Sequence, residues 1–283
     1  MRTALCVLIL VAASTLASAD TNVTEDITVD TTWDLAGSPY IINQDISVLS
    51  GSTLTIDPGV TVKVDSLSRL RTDSGGSIVA VGSQGSEILF TSGKDSPAPN
   101  DWWGVCPWQP SSSVFSYCIL EYGRYNLYSD HSSPTISSCI SRYGYLAAFF
   151  CEDASPTITG CTATDSQFGI RISNGSPTIT SCSITNTETG LYIDGPDANP
   201  VIHDCNIYGN TSENMYVRDY TELPATVIEA EGNWWGVDTD PEIAGTIYIG
   251  SSYEPYVEVD YDPWLHEVPV DESTWGRVKH LYR

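Results

Sequence analysis

One stretch of the 283-residue chain, 104–219, repeats nearly the same line. Ser133-Pro134-Thr135-Ile136-Ser137-Ser138-Cys139 is answered by Ser155-Pro156-Thr157-Ile158-Thr159-Gly160-Cys161. Ser176-Pro177-Thr178-Ile179-Thr180-Ser181-Cys182 follows, then the looser Asn199-Pro200-Val201-Ile202-His203-Asp204-Cys205. The prolines are 22, 21 and 23 residues apart, and Cys118, Cys139, Cys161, Cys182 and Cys205 keep the same period. Short strand-like runs open on small residues at Gly104, Asn126, Ala148, Gly169, Gly190 and Asn214. β-type content at such a period marks a solenoid, whose repeats bury their apolar faces by stacking on one another.

The content of one repeat narrows the type. Each holds two or three runs of Ile, Val, Thr and Tyr, broken by Gly, Pro, Asn and Asp, and none leaves room for a long amphipathic helix. A leucine-rich spacing is absent as well. What remains is a coil of short parallel strands, about three per turn. At Gly169-Ile170-Arg171-Ile172 with Ser176-Pro177-Thr178-Ile179, and at Gly190-Leu191-Tyr192-Ile193 with Pro200-Val201-Ile202, the chain resembles the right-handed parallel β-helix proteins of the pectate-lyase-like group. The resemblance implies an all-β, right-handed parallel β-helix with roughly 21–24 residues per turn. It says little about activity, since one fold hosts many functions.

The rest of the chain fits around this block. Residues 1–19 read as a secretory signal: Arg2, an apolar run over 4–13, and Ala17-Ser18-Ala19 before Asp20. A secreted or cell-surface location is therefore expected, with no transmembrane segment. The alternating strands of 41–103 read as opening rungs, 20–40 as an N-terminal cap, 220–265 as the closing rung and cap, and 266–283 as a basic tail. The formal net charge of −24 argues against nucleic acid as a partner and is read as a solvated coat. The chain is expected to act as a monomer.

Laid out in columns, the strands place Val105, Leu127, Phe149, Ile170, Leu191 and Met215 inward, and the residues between them outward. One outward column reads Tyr128, Phe150, Arg171, Tyr192, Tyr216. The next reads Asp130, Glu152, Ser173, Asp194, Arg218. With rungs about 4.8 Å apart, these form a ring strip beside a carboxylate strip. One reading is rung-to-rung packing; the other is a glycan face, using rings for stacking and Asp, Glu and Arg for hydroxyls or uronates. In the resembled enzymes this face carries the polysaccharide.

A non-catalytic polysaccharide or cell-surface glycan binder is the expectation, with a polysaccharide lyase or glycoside hydrolase acting on an acidic polysaccharide as the alternative. A spacer or adhesin module is the third reading. For chemistry the candidates are Arg171, Glu152 and Asp194. The two carboxylates stand two rungs apart, about 9.6 Å, near the separation of an inverting glycosidase. No catalytic string of the resembled enzymes occurs.

The cysteine ladder is read as interior packing, in a position this fold often gives to stacked Asn, with disulfides the competing reading. Cys106 and Cys151 lie off the ladder. The four histidines do not cluster. No cofactor is expected, except that Asp238, Asp240, Glu242, Glu258, Asp260 and Asp262 would offer oxygens to Ca²⁺; a solvated acidic cap is the other reading.

Overall fold

A computed structural model describes residues 20–65, 67–218, 226–250 and 257–266. The expected signal peptide, Asp219 and the tail from 267 onward lie outside them. The described chain is an all-β solenoid of three parallel sheets, here A, B and C, of nine, nine and ten strands. The chain visits the sheets in the order A, B, C and then pairs with itself one rung on, as in Ile140–Arg142, Ala147–Glu152 and Thr157–Thr159. Every ladder between named strands is parallel, so each rung is joined to the next by backbone hydrogen bonds along its whole perimeter.

The corners follow from local backbone chemistry. Each regular rung turns at residues with positive φ. Besides Gly209, Gly195 and Gly160, the non-glycine ones are Tyr122, Tyr143, Asp165 and Asn186 at the A-to-B corner, His131, Asp153 and Asn174 at the B-to-C corner, and Tyr117, Ser138, Ser181 and Asp204 at the C-to-A corner. Asn and Asp tolerate this conformation best, and they supply five of the eleven. The C-to-A turn takes only two residues, the left-handed residue and then the cysteine. The prolines of the repeat sit just ahead of the sheet C strands, where their carbonyls still accept from the next rung: Pro134 from Thr157 N–H, Pro156 from Thr178 N–H, Pro177 from Val201 N–H. A residue without an N–H is placed where only its acceptor is used.

Inside, the expected columns hold. Val105, Leu127, Phe149, Ile170, Leu191 and Met215 are buried, as are Ile136, Ile158, Ile179 and Ile202 of sheet C. Each such side chain contributes about 1.5–3 kcal/mol by leaving water. The five ladder cysteines are buried thiols outside any disulfide, as are Cys106 and Cys151. Their thiols sit in register: Cys139 N–H donates to Cys161 Sγ, Cys161 N–H to Cys182 Sγ and Cys182 N–H to Cys205 Sγ, each at 3.4 Å. Asn233 ends the series, accepting from Cys205 N–H at 2.8 Å and donating to the carbonyls of Ile202 and Ala230. Burial pushes the thiols of Cys106 and Cys151 up to about 12 and raises those of Cys118, Cys161 and Cys205.

Two expectations change. The segment 20–40 is itself the first rung: Thr21–Val23 pairs with Tyr40–Ile42, Ile27 bridges to Val48, and Thr31–Trp33 pairs with Thr53–Ile56. Its alternation is masked by Asp and Thr on the outer side. The opening rungs also contain an unexpected strand, Arg69–Thr72, lying between Ile46–Val48 and Gly104–Cys106 in sheet B. At the far end a single helical turn, Asp240–Ala244, covers the core with the buried Ile243.

Candidate functional site

Sheet B is the broad face. Its strands Tyr125–Asp130, Ala147–Glu152, Phe168–Ser173, Thr189–Asp194 and Glu213–Arg218 are six residues long, while the sheet C strands of the repeats are three. Small residues let the chain enter these strands closely. Gly104, at φ +140°, lies where an added Cβ would come within 1.8 Å of Tyr125 O, so no other residue fits. Asn126 and Asn214 hold the same corner by hydrogen bonds to backbone, Asn126 Nδ2 to Arg142 O and Asn214 Nδ2 to Trp235 O, both at 2.9 Å.

The two outward columns are in register. Tyr128 pairs with Phe150, Phe150 with Arg171, Arg171 with Tyr192, and Tyr192 with Tyr216. Asp130, Glu152, Ser173, Asp194 and Arg218 follow one column over. The rings stack along the axis. Tyr128 and Phe150 are 4.9 Å apart at 8°, and Tyr192 and Tyr216 are 5.2 Å apart at 5°. Arg171 fills the gap in the ladder, its guanidinium 4.8 Å from the Phe150 ring and 5.5 Å from that of Tyr192. Arg218 lies 5.4 Å from Tyr192 as well. Such contacts are worth about 0.5–1.5 kcal/mol each.

This stacking settles which part of the strip meets solvent. Ring faces within the ladder are turned to neighbouring rungs, and Phe150 and Asp194 are buried by them. Tyr128, Tyr192, Tyr216, Asp130, Glu152 and Arg171 stay partly exposed and Arg218 is exposed, and these are what the strip presents. Rung packing and an outward polar edge therefore coexist on the same residues.

The charged groups already have partners. The Tyr128 hydroxyl donates to Glu152, and burial together with that bond pushes the hydroxyl's pKa up. Asp194 meets Arg171 at 3.2 Å with only 8% of its side chain exposed, leaving its Oδ1 and the Arg171 Nε buried without hydrogen bonds. Asp130 bonds His131 Nδ1 at 2.5 Å, and this bond raises the imidazole above its ordinary value. Glu152 and Asp194 stand two rungs apart, with Ser173 between them in register.

Sequence reasoning missed parts of this face. Tyr125 lies 5.1 Å from Phe150 and Phe168 4.6 Å from Tyr192, widening the ring strip. Tyr248, from Ile247–Gly250, extends the ladder beyond Tyr216 at 4.9 Å and is about half exposed. Toward the N-terminal end Arg69 lies 5.3 Å from Trp103 and pairs with Asp45 at 2.9 Å. Arg71 lies 5.4 Å from Trp108 and 3.7 Å from Asp73. Trp108, Arg71, Asp73, Ser74, Ser50 and Leu49 line an open hollow of about 700 Å³.

Two of the six acids considered for Ca²⁺ are drawn into local bonds. Asp240 accepts from the Tyr261 hydroxyl at 2.6 Å, and Glu242 from the Thr239 hydroxyl at 2.7 Å. Among the described residues no three His, Cys, Asp or Glu side chains converge in a metal-holding group.

Three parallel sheets wound into one solenoid define the class, a β-helix. Two family models match the chain. The model of the right-handed β-helix region matches residues 103–234, and that of the pectate-lyase-like β-helix domain matches 23–107. The chain carries a right-handed, pectate-lyase-like β-helix domain. A search of the curated proteins finds no match.

Proposed function

We propose that this is an exported, non-catalytic β-helix protein that binds a glycan along the outward face of sheet B. The supporting observation is the ladder itself: tyrosines with Arg171 in one column stand beside Asp130, Glu152, Asp194 and Arg218 in the next, in register from Tyr128 to Tyr248. A polysaccharide is periodic and offers hydroxyls that both donate and accept, which suits a periodic row of the same chemistry. The binding reading is preferred to turnover because the candidate acids are engaged. One oxygen of Glu152 holds Tyr128, one of Asp194 holds Arg171, and the Asp194 side chain is only 8% exposed, whereas a glycosidase needs one carboxyl reaching the leaving group and another reaching water.

The test incubates purified protein with soluble polysaccharides, with and without Ca²⁺, and follows retention and chain length together. Retention without shortening is expected, weakened by Tyr216→Ala. Shortened chains that disappear with Arg171→Ala or Glu152→Ala would make the protein a lyase or hydrolase. No retention on any glycan would leave the strip as scaffold.

A further inference from the structure

We infer that the glycan accepted by sheet B is a neutral one, and that the Arg171–Asp194 pair is what excludes uronates; this rests on the glycan reading above. Arg171 is held by Asp194 at 3.2 Å, Arg69 by Asp45 at 2.9 Å, and Arg71 stands 3.7 Å from Asp73. In the regular rungs the outward columns carry Asp130, Glu152 and Asp194 against Arg171 and Arg218, a negative balance within a chain of net charge −24.

Arg171 is the cation best placed to meet a ligand at the middle of the strip, and it is neutralised before any ligand arrives. Its neighbours in the adjacent column are Glu152 on the preceding rung and Asp194 on the following one. A uronate entering here meets a guanidinium whose charge Asp194 already balances, and displacing Asp194, whose side chain is only 8% exposed, would leave a buried, unpaired charge. It would also approach Glu152. A sugar hydroxyl meets no such obstacle. It donates to a carboxylate and accepts from a guanidinium in one contact, whereas a carboxylate can only accept.

The experiment measures affinity of the full chain for a neutral galactan and a neutral β-glucan against polygalacturonate and alginate, at low and high NaCl. Neutral chains are expected to bind with affinity unchanged by salt, since no net charge is screened, and the two uronates to pass unretained. Asp194→Asn, near-isosteric, frees the Arg171 charge. It should raise affinity for polygalacturonate at least tenfold at low salt, with the gain lost at high salt, while weakening the neutral ligand. A urea midpoint checks the variant's fold; if it does not fold, the salt series on the unaltered chain decides. Uronate-only retention that falls steeply with NaCl overturns the inference but leaves sheet B a glycan face. A folded Asp194→Asn with unchanged uronate affinity overturns the role of the pair. Retention of neither class removes the glycan reading itself.

Discussion

Asn233 and the thiols it follows show how much one side chain can be asked to satisfy. Along the C-to-A corner the N–H groups of Cys139, Cys161 and Cys182 find the sulfur of the next rung, and that of Cys205 finds Asn233 Oδ1, whose Nδ2 also serves two carbonyls. Asn233→Ala would leave Cys205 N–H and the carbonyls of Ile202 and Ala230 unpartnered in a fully buried place. A loss of about 3 kcal/mol is expected, read as a lower urea midpoint. His131 offers a smaller, pH-linked effect. Its hydrogen bond to Asp130, with Asp153 3.6 Å from the other ring nitrogen, raises the folded imidazole above the ordinary 6.5. The folded value exceeds the unfolded one. The stabilisation is therefore complete below 6.5 and disappears as pH rises through the raised folded value. His131→Gln should flatten that part of the midpoint-versus-pH curve, and only slightly, because the ring is more than half exposed.

At the level of the strand, alternation made most of the fold legible. Leu127-Tyr128-Ser129-Asp130 and its copies assign inside and outside from a period of two, and the constant 21–23-residue spacing sets the register. Legibility ended where the spacing broke. The 93–101 connection puts Trp108 beside Thr72 across 36 residues, so Trp103 and Trp108 could not be assigned columns. Arg69–Thr72, with a single strongly apolar residue, gave too little alternation to read as a strand. Tyr248 was missed for the same reason, since Tyr216 and Tyr248 pair across the Asp240–Ala244 turn rather than one repeat apart. The columns of the candidate site were visible, but not the pairing of Arg171 with Asp194, because that depends on side-chain direction. One element-level prediction follows from the corner beneath sheet B. Gly104→Ala must move Tyr125 O or abandon φ +140°, so a loss above 2 kcal/mol is expected, together with weaker pairing of Gly104–Cys106 seen as faster amide exchange there.

For the molecule as a whole, the excess of acid is a cost. A net charge of −24 on a rod of stacked rungs repels itself, and Lys and Arg number only 12 against 36 Asp and Glu. Raising NaCl from low to physiological strength should therefore raise the melting temperature by a few degrees, through screening. A melting temperature that falls instead would mean that surface ion pairs such as Arg69–Asp45 outweigh the repulsion.

The unequal corners decide where such a molecule can change. A two-residue turn locked by a left-handed residue and a thiol has no slack, and an insertion there would sever the sulfur series and shift every later column. The A-to-B corner has already absorbed 93–101, tied down by Asp101 to Ser92, Lys94 and Ala98, without disturbing the rungs on either side. New sequence can be written into that corner, beside the sheet B face, while the opposite corner keeps count of the turns. A solenoid built this way can acquire a new rim for its binding strip, or a whole added rung, but it cannot acquire half of one.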